Sequence, residues 1–388
     1  MAGEGEAGQL QFKIINHINM KPTTLSNRLY SLDALRGFDM LWIMGADELF
    51  HDLAKVTDNS IIQFMAVQLD HTAWNGFTFY DLIFPLFLFM AGVATPYSVG
   101  RELEKGVEKN KLLLRVIKRG LILILLGVIY NNGLALHPIE KIRFASVLGR
   151  IGSGYMFANI IYLYAGKKAQ AVWSVSLLLL YWAFLTFFAA PGFAAGDLTM
   201  EGNFASYIDR MVLPGSLYLS IHDPEGLFST IPAISTGLLG IMTGSYLKNN
   251  LSGQVKKTIT MLVAGIVLLV LAQIWNLVFP INKNLWTSSF VLQTAGCSIL
   301  LLTFFYYIID VLGFQKWAFF FKVIGMNSIL IYMSGVFIDW GYTSNAILGW
   351  IKQLSAEPYK IVAGILCIML VKWVFLYFMY RKKVFLKV

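Results

Sequence analysis

The sequence predicts an all-α, polytopic integral membrane protein, with about ten transmembrane helices packed in one bundle. Three observations carry this expectation. Of 388 residues, 57% are hydrophobic and 15% aromatic against 14% charged, a balance outside that of soluble domains. Apolar runs of about 20 residues recur along the chain, the length that crosses a ~30 Å hydrocarbon core at ~1.5 Å per residue. None alternates as barrel strands do, and lipid accepts only helices or closed barrels.

The expected spans are, in order, 31–50, 78–99, 112–130, 144–165, 171–190, 227–247, 258–279, 287–309, 316–339 and 360–380. The first carries Asp33, Arg36, Asp39 and Asp47. Asp33 and Arg36 are three apart and able to pair on one face. Asp47 returns to that face ~21 Å further along, so the helix shows a polar line to the bundle interior. Intramembrane charges of this kind are candidates for function. The second span opens on Asp81, directly after the loop His71-Thr72-Ala73-Trp74-Asn75-Gly76. A titratable imidazole at the mouth of a span is the first place to look for chemistry. The fourth span begins with Arg143 and Arg150, two turns apart on one face. Arg150 is expected ~10 Å deeper, where it needs a carboxylate, carbonyls or a ligand anion. The ninth contains Asn327, a candidate for bonding between helices or to substrate.

The remaining composition narrows the class. Cys297 and Cys367 both fall in apolar runs, so no disulfide framework or zinc spacing exists and no metal is expected. The net charge of +9 reads as membrane topology rather than nucleic-acid binding. Of the 31 Lys and Arg, 22 fall on one side of the spans and seven on the other, which puts both termini in the cytoplasm. Loops 51–77 and 191–226 then face outward, with His51, His71, His137 and His222. Residues 1–20 have no apolar core, so no cleavable signal peptide is expected. Residues 1–19 read as an expression leader within a 1–30 cytoplasmic segment, and 31–388 as the membrane domain.

Five ordered blocks resemble the transmembrane acyltransferases of the heparan-α-glucosaminide N-acetyltransferase type. They begin at Ser31 (SLDALRGFD), His71 (HTAWNGFTFYDLIFPLFLFMAG), Asp223 (DPEGLFSTI), Asn282 (NKNLWTSSF) and Gly325 (GMNSILIY). The resemblance implies a ten-helix acyltransferase core without the lumenal domain and extra helix of the lysosomal form, as in a bacterial inner-membrane member. It implies acetyl transfer from cytosolic acetyl-CoA to an amino sugar such as glucosamine, with His71 catalytic. Two departures stand out: Asp47, where the lysosomal enzyme has Asn, and Gly149, where Gln is common.

Acetyl transfer needs a base or nucleophile, oxyanion stabilisation and a CoA site. His71 can take the acceptor's proton or carry acetyl itself; both courses stay open. Asp47 or Asp81 is expected to orient it, as a carboxylate orients His in hydrolase triads. Trp74 or Asn75 is expected to donate to the oxyanion. Trp74, Asn75, Arg150, Glu225, Trp286 and Asn327 are the substrate-site candidates. Arg143, Arg150, Arg115, Lys118 and Arg119 are the candidates for the CoA phosphates. The expected partners are acetyl-CoA, the amino sugar and the bilayer, with a homodimer and no nucleic acid. An amino-sugar transporter without acyl transfer is the competing class; it would release no CoA thiol.

Overall fold

A computed structural model describes residues 29–135, 137–249 and 251–386. The leader expected over 1–19, and the rest of the terminal segment to residue 28, lie outside the described residues. Helices dominate those residues and no strand occurs among them; a lone antiparallel bridge joins Arg143 to Gly215.

Every expected span is met by helix. α1 (Tyr30–Leu41) passes through a π-helical turn (Trp42–Ala46) into α2 (Asp47–Val56). The turn is broken at Gly45, whose φ of +128° is open to glycine alone. Lys372 donates to the Met44 carbonyl at this break, 2.9 Å away. Lys372, counted with the cytoplasmic charges, is thus partly buried and bonded to the α1–α2 break. α3 (Ser60–Gln68) is capped by Asn59, whose side chain accepts from the Ile61 and Ile62 amides. α4 (Tyr80–Ala94), α5 (Val99–Glu104) and α6 (Lys109–Asn132) follow. Then come α7 (Val147–Tyr164), α8 (Lys167–Phe187), the short α9 (Phe204–Val212) and α10 (Thr230–Lys248). The chain closes with α11 (Gln254–Asn276), α12 (Ser288–Tyr306), α13 (Ala318–Gly325), α14 (Ser328–Phe337), α15 (Trp340–Leu354) and α16 (Lys360–Arg381).

Fewer helices than the ten expected spans are, by length and composition, apolar enough to cross a membrane. Five stretches among the described residues are long and apolar enough: Tyr80–Glu104, Lys167–Phe187, Gln254–Asn276, Ser288–Val311 and Lys360–Arg381. A sixth arises if α13 and α14, bent by 60°, form one broken span. The other helices fall short because of their length or the charged and polar residues they carry. α1 carries Asp33, Arg36 and Asp39; α6 carries Arg115, Lys118 and Arg119; α7 and α10 are rich in Gly, Ser and Thr. α15 is an addition, in a stretch that reads as a connection; Asp339 caps it by accepting from the Tyr342 amide at 2.9 Å.

Small residues set the closest approaches. A Cβ on Gly37 would collide with the Phe321 carbonyl and one on Gly325 with the Asp33 carbonyl, so α1 and α13 touch backbone to backbone. Around these contacts Leu35, Leu86, Phe89, Met90 and Phe305 form the main core. That packing fixes α1, α4, α6 and α7 around one internal cavity.

Candidate active site

A cavity of about 1060 Å³ runs along these helices. α4 lines it from Tyr80 to Ala94, and Tyr97, Ser98 and Arg101 continue the wall beyond. α6 runs the other way, from Arg119 past Leu123 to Tyr130 and Asn131. At ~1.5 Å per residue each wall is about 20 Å long. One end holds His71, Lys283, Arg143 and Glu225; the other holds Arg101, Arg119, Phe385 and Leu386. Phe84, Phe87, Ala91, Leu123 and Ile151 line the stretch between them.

His71 and Asp81 form a dyad at the first end. The His71 Nδ1 lies 2.8 Å from Asp81 Oδ1. An ionised carboxylate only accepts, so Nδ1 carries the proton and Nε2 presents its lone pair. Asp81 is fully buried and saturated. Its Oδ2 accepts from Thr72 Oγ1 at 3.1 Å and from the Thr78 amide and hydroxyl, each at 3.2 Å. Lys283 Nζ lies 2.8 Å from Nε2 and 2.9 Å from Nδ1; with Nδ1 donating to Asp81, only Nε2 can accept from it. Of the two carboxylates expected near the imidazole, Asp81 is the one in contact. Asp47 instead accepts from Tyr80 Oη at 2.7 Å, and the Tyr80 ring packs on His71 with centroids 4.8 Å apart.

Beside the dyad, Arg143 grips Asp223 with two bonds of 2.8 Å and also bonds Glu225. Two carboxylates thus share one guanidinium. Burial pushes Asp223 up, but the Arg143 fork and backbone amides outweigh it and hold the carboxyl below its ordinary range. Glu225, the second claimant, is raised by burial and by the Asp223 charge. Burial lowers Lys283, with Asp81 and Glu225 opposing. Arg143 is therefore engaged with carboxylates at the His71 end, not placed for CoA phosphates.

Several expected site residues take other work. Trp74 Nε1 donates to the Leu198 carbonyl at 2.9 Å, and its ring meets His222 edge-on. Asn75 accepts from Asn282 Nδ2 at 3.0 Å. Neither lines the cavity. Trp286 is fully buried between Phe84 and Phe290. Arg150 is buried over the Trp286 ring at 4.9 Å and donates to the Gly226 carbonyl and Ser229 hydroxyl. A carbonyl, a hydroxyl and a π-face engage it, while its Nε and Nη1 are buried without a hydrogen-bond partner; Arg150 does not line the cavity. Asn327, at the bend between α13 and α14, donates to the Val384 carbonyl and accepts from the Leu386 amide. It fastens the C-terminal segment, whose Phe385 and Leu386 line the cavity, and does not line the cavity itself. The four histidines expected outside do not converge: His51 pairs with Asp70, His222 is buried against Ser206, and His137 is exposed.

At the far end the basic set also changes. Arg115 pairs with Glu102 at 2.6 Å and is exposed, as is Lys118. Arg119 lines the cavity over the Tyr155 ring, and Arg101 and Arg36 join it there. Arg119 Nε and Arg101 Nη1 are buried without a hydrogen-bond partner, in two arginines whose side chains line this end of the cavity, a charge that suits an anion. Arg101 and Lys283 are the residues the sequence reading missed. Arg101 stood among seven cytoplasmic charges, but Lys283 sat inside the Asn282 block and was legible there.

No family model matches the chain. It is 30% identical over 376 aligned residues to the heparan-alpha-glucosaminide N-acetyltransferase of Mus musculus, covering 82% of this chain and 56% of the relative. It is 28% identical over 374 residues to the enzyme of that name from Homo sapiens, covering 82% and 55%. The chain spans about half the length of the curated relatives it matches.

Proposed function

From the homology of this chain to the heparan-alpha-glucosaminide N-acetyltransferases over most of its length, we propose that it is a membrane-bound acetyltransferase. It moves acetyl from acetyl-CoA to the amine of a glucosamine-like sugar. The observation that carries this reading is the His71–Asp81 dyad at one end of a cavity whose other end is lined by unsatisfied arginine donors. The donors of Arg101 and Arg119 suit the phosphates of CoA. The apolar middle suits the pantetheine arm, and the thioester then reaches His71.

Asp81 fixes the Nδ1–H tautomer, so Nε2 is the basic atom. As a base it takes the acceptor's proton as the amine attacks the thioester carbon, and returns it to the leaving sulfur. As a carrier it would attack that carbon itself and hold acetyl until the amine arrives. Arg143, Glu225 and Tyr218 offer the acceptor a mixed polar wall. The excess of basic residues on the 101–119 side supports cytoplasmic termini and an inner-membrane protein whose His71 end faces outward.

The test is to incubate the purified protein with labelled acetyl-CoA and glucosamine, reading CoA thiol and N-acetyl product. Release of both by the wild type, and their loss in folded His71→Ala, is the expected result. Glucosamine binding with no CoA thiol released would favour the transporter reading instead.

A further inference from the structure

The dyad needs a group to stabilise the charge that builds on the thioester oxygen, and neither expected donor, Trp74 nor Asn75, lines the cavity. Lys283 does. Its side chain is 13% exposed, and its loop is rigid. The Asn282 side chain accepts from the Leu285 amide at 2.9 Å, and the Thr287 hydroxyl accepts from the Asn282 amide at 3.1 Å. The same loop is strapped to the His71 loop twice, through Asn282 to Asn75 and through the Gly76 amide to the Ile281 carbonyl at 2.8 Å. Lys283 is thereby held against the imidazole.

Two roles compete for this ammonium. As a counter-ion it would serve Asp81, but Asp81 already accepts from His71, Thr72 and Thr78, and Lys283 stands 3.7 Å from Oδ1. That is beyond the range of a charge-assisted hydrogen bond. Its short contacts are with the imidazole, 2.8 Å from Nε2 and 2.9 Å from Nδ1, and Nε2 is the nitrogen left to accept and to move the proton. A donor at that point stands beside the atom that takes the amine proton, and the attacked carbonyl carbon bonds to that same amine nitrogen.

We propose that Lys283 is a catalytic residue that donates to the thioester carbonyl oxygen as acetyl is transferred. The proposal rests on the acetyltransferase reading. The acceptor nitrogen forms its bond to the carbonyl carbon, and the C=O electron pair moves to oxygen beside Lys283 Nζ. Collapse of that oxyanion restores C=O and breaks the C–S bond. The amine proton passes to His71 Nε2 and on to the thiolate, leaving CoA thiol and the N-acetyl amide. Lys283 keeps its proton throughout. A preorganised donor of this kind contributes about 10²–10³ in kcat.

The test compares the full-length wild type with Lys283→Met, Lys283→Arg and the His71→Ala/Lys283→Met double variant, using acetyl-CoA and glucosamine. In Lys283→Met, kcat falls about 100-fold while KM for acetyl-CoA stays within about threefold, because the interaction is made in the transition state. Lys283→Arg recovers at least part of the loss, and the double variant is no slower than His71→Ala, as for groups acting as a unit. A folded Lys283→Met with kcat near wild type overturns the proposal while leaving the acetyltransferase reading intact. A wild type that releases no CoA thiol overturns that reading and this one with it. Should Lys283→Met not fold, Lys283→Ala decides by the same kcat criterion, since it too removes the donor.

Discussion

Asp81 holds the imidazole in one tautomer and is itself held by three donors besides His71, from Thr72 and Thr78. Asp81→Asn replaces an acceptor with an amide that can turn its NH₂ toward Nδ1 and stabilise the wrong tautomer. A drop in kcat of about 10³–10⁴ is expected with acetyl-CoA binding retained, measured by thiol release beside direct binding. Full activity in that variant would remove Asp81 from the chemistry. His222 gives a separate test of the loops. Burial lowers its pKa from 6.5 to about 4, so the imidazole is kept neutral where an unfolded chain would take a proton. The stabilisation is complete above pH 6.5 and is lost as pH falls towards 4; it is on the order of 3 kcal/mol. The melting temperature should fall over that window, and His222→Asn should show a flatter slope. An unchanged slope would show that other groups govern the acid limb.

Helices α1 and α13 meet at glycines because no side chain fits between their backbones. Gly325→Ala forces the α13 backbone away from the Asp33 carbonyl, an overpacking cost of about 1–3 kcal/mol. A lower melting temperature is expected, and Gly335→Ala, which meets nothing within 4 Å, should leave it unchanged. Equal melting temperatures for the two variants would contradict the backbone contact. The helices themselves were legible in the sequence because each apolar run is long. How many are long and apolar enough to cross a membrane was not. Charges such as Asp33 and Arg119 look alike in sequence whether they face a cavity or the end of a span. The break at Gly45 and the 60° bend between α13 and α14 likewise depend on neighbours, Lys372 and the C-terminal segment, that are remote in sequence.

Across the molecule, the site divides the same way. His71 and Asp81 stood out because a titratable pair at the mouth of a span has no structural need to be there. Whether Asp47 or Asp81 orients the imidazole turned on tertiary placement, with Tyr80 standing between Asp47 and His71. Arg150 was legible as a deep cation, but its partners, a backbone carbonyl, a serine and the Trp286 face, carry no sequence signature. Arg101 was hidden among the other basic residues of its segment until the fold lined it along the cavity, whereas Lys283 lay within a block that already stood out. The central claim is that this cavity joins a CoA-phosphate end to a His71 end on opposite faces of the membrane. Vesicles of known orientation, loaded with glucosamine on the His71 side and given acetyl-CoA on the Arg101 side, test it most directly. The account predicts N-acetylglucosamine inside the vesicles, CoA thiol outside, and neither with His71→Ala. Product formed only when acetyl-CoA and glucosamine share one face would contradict it.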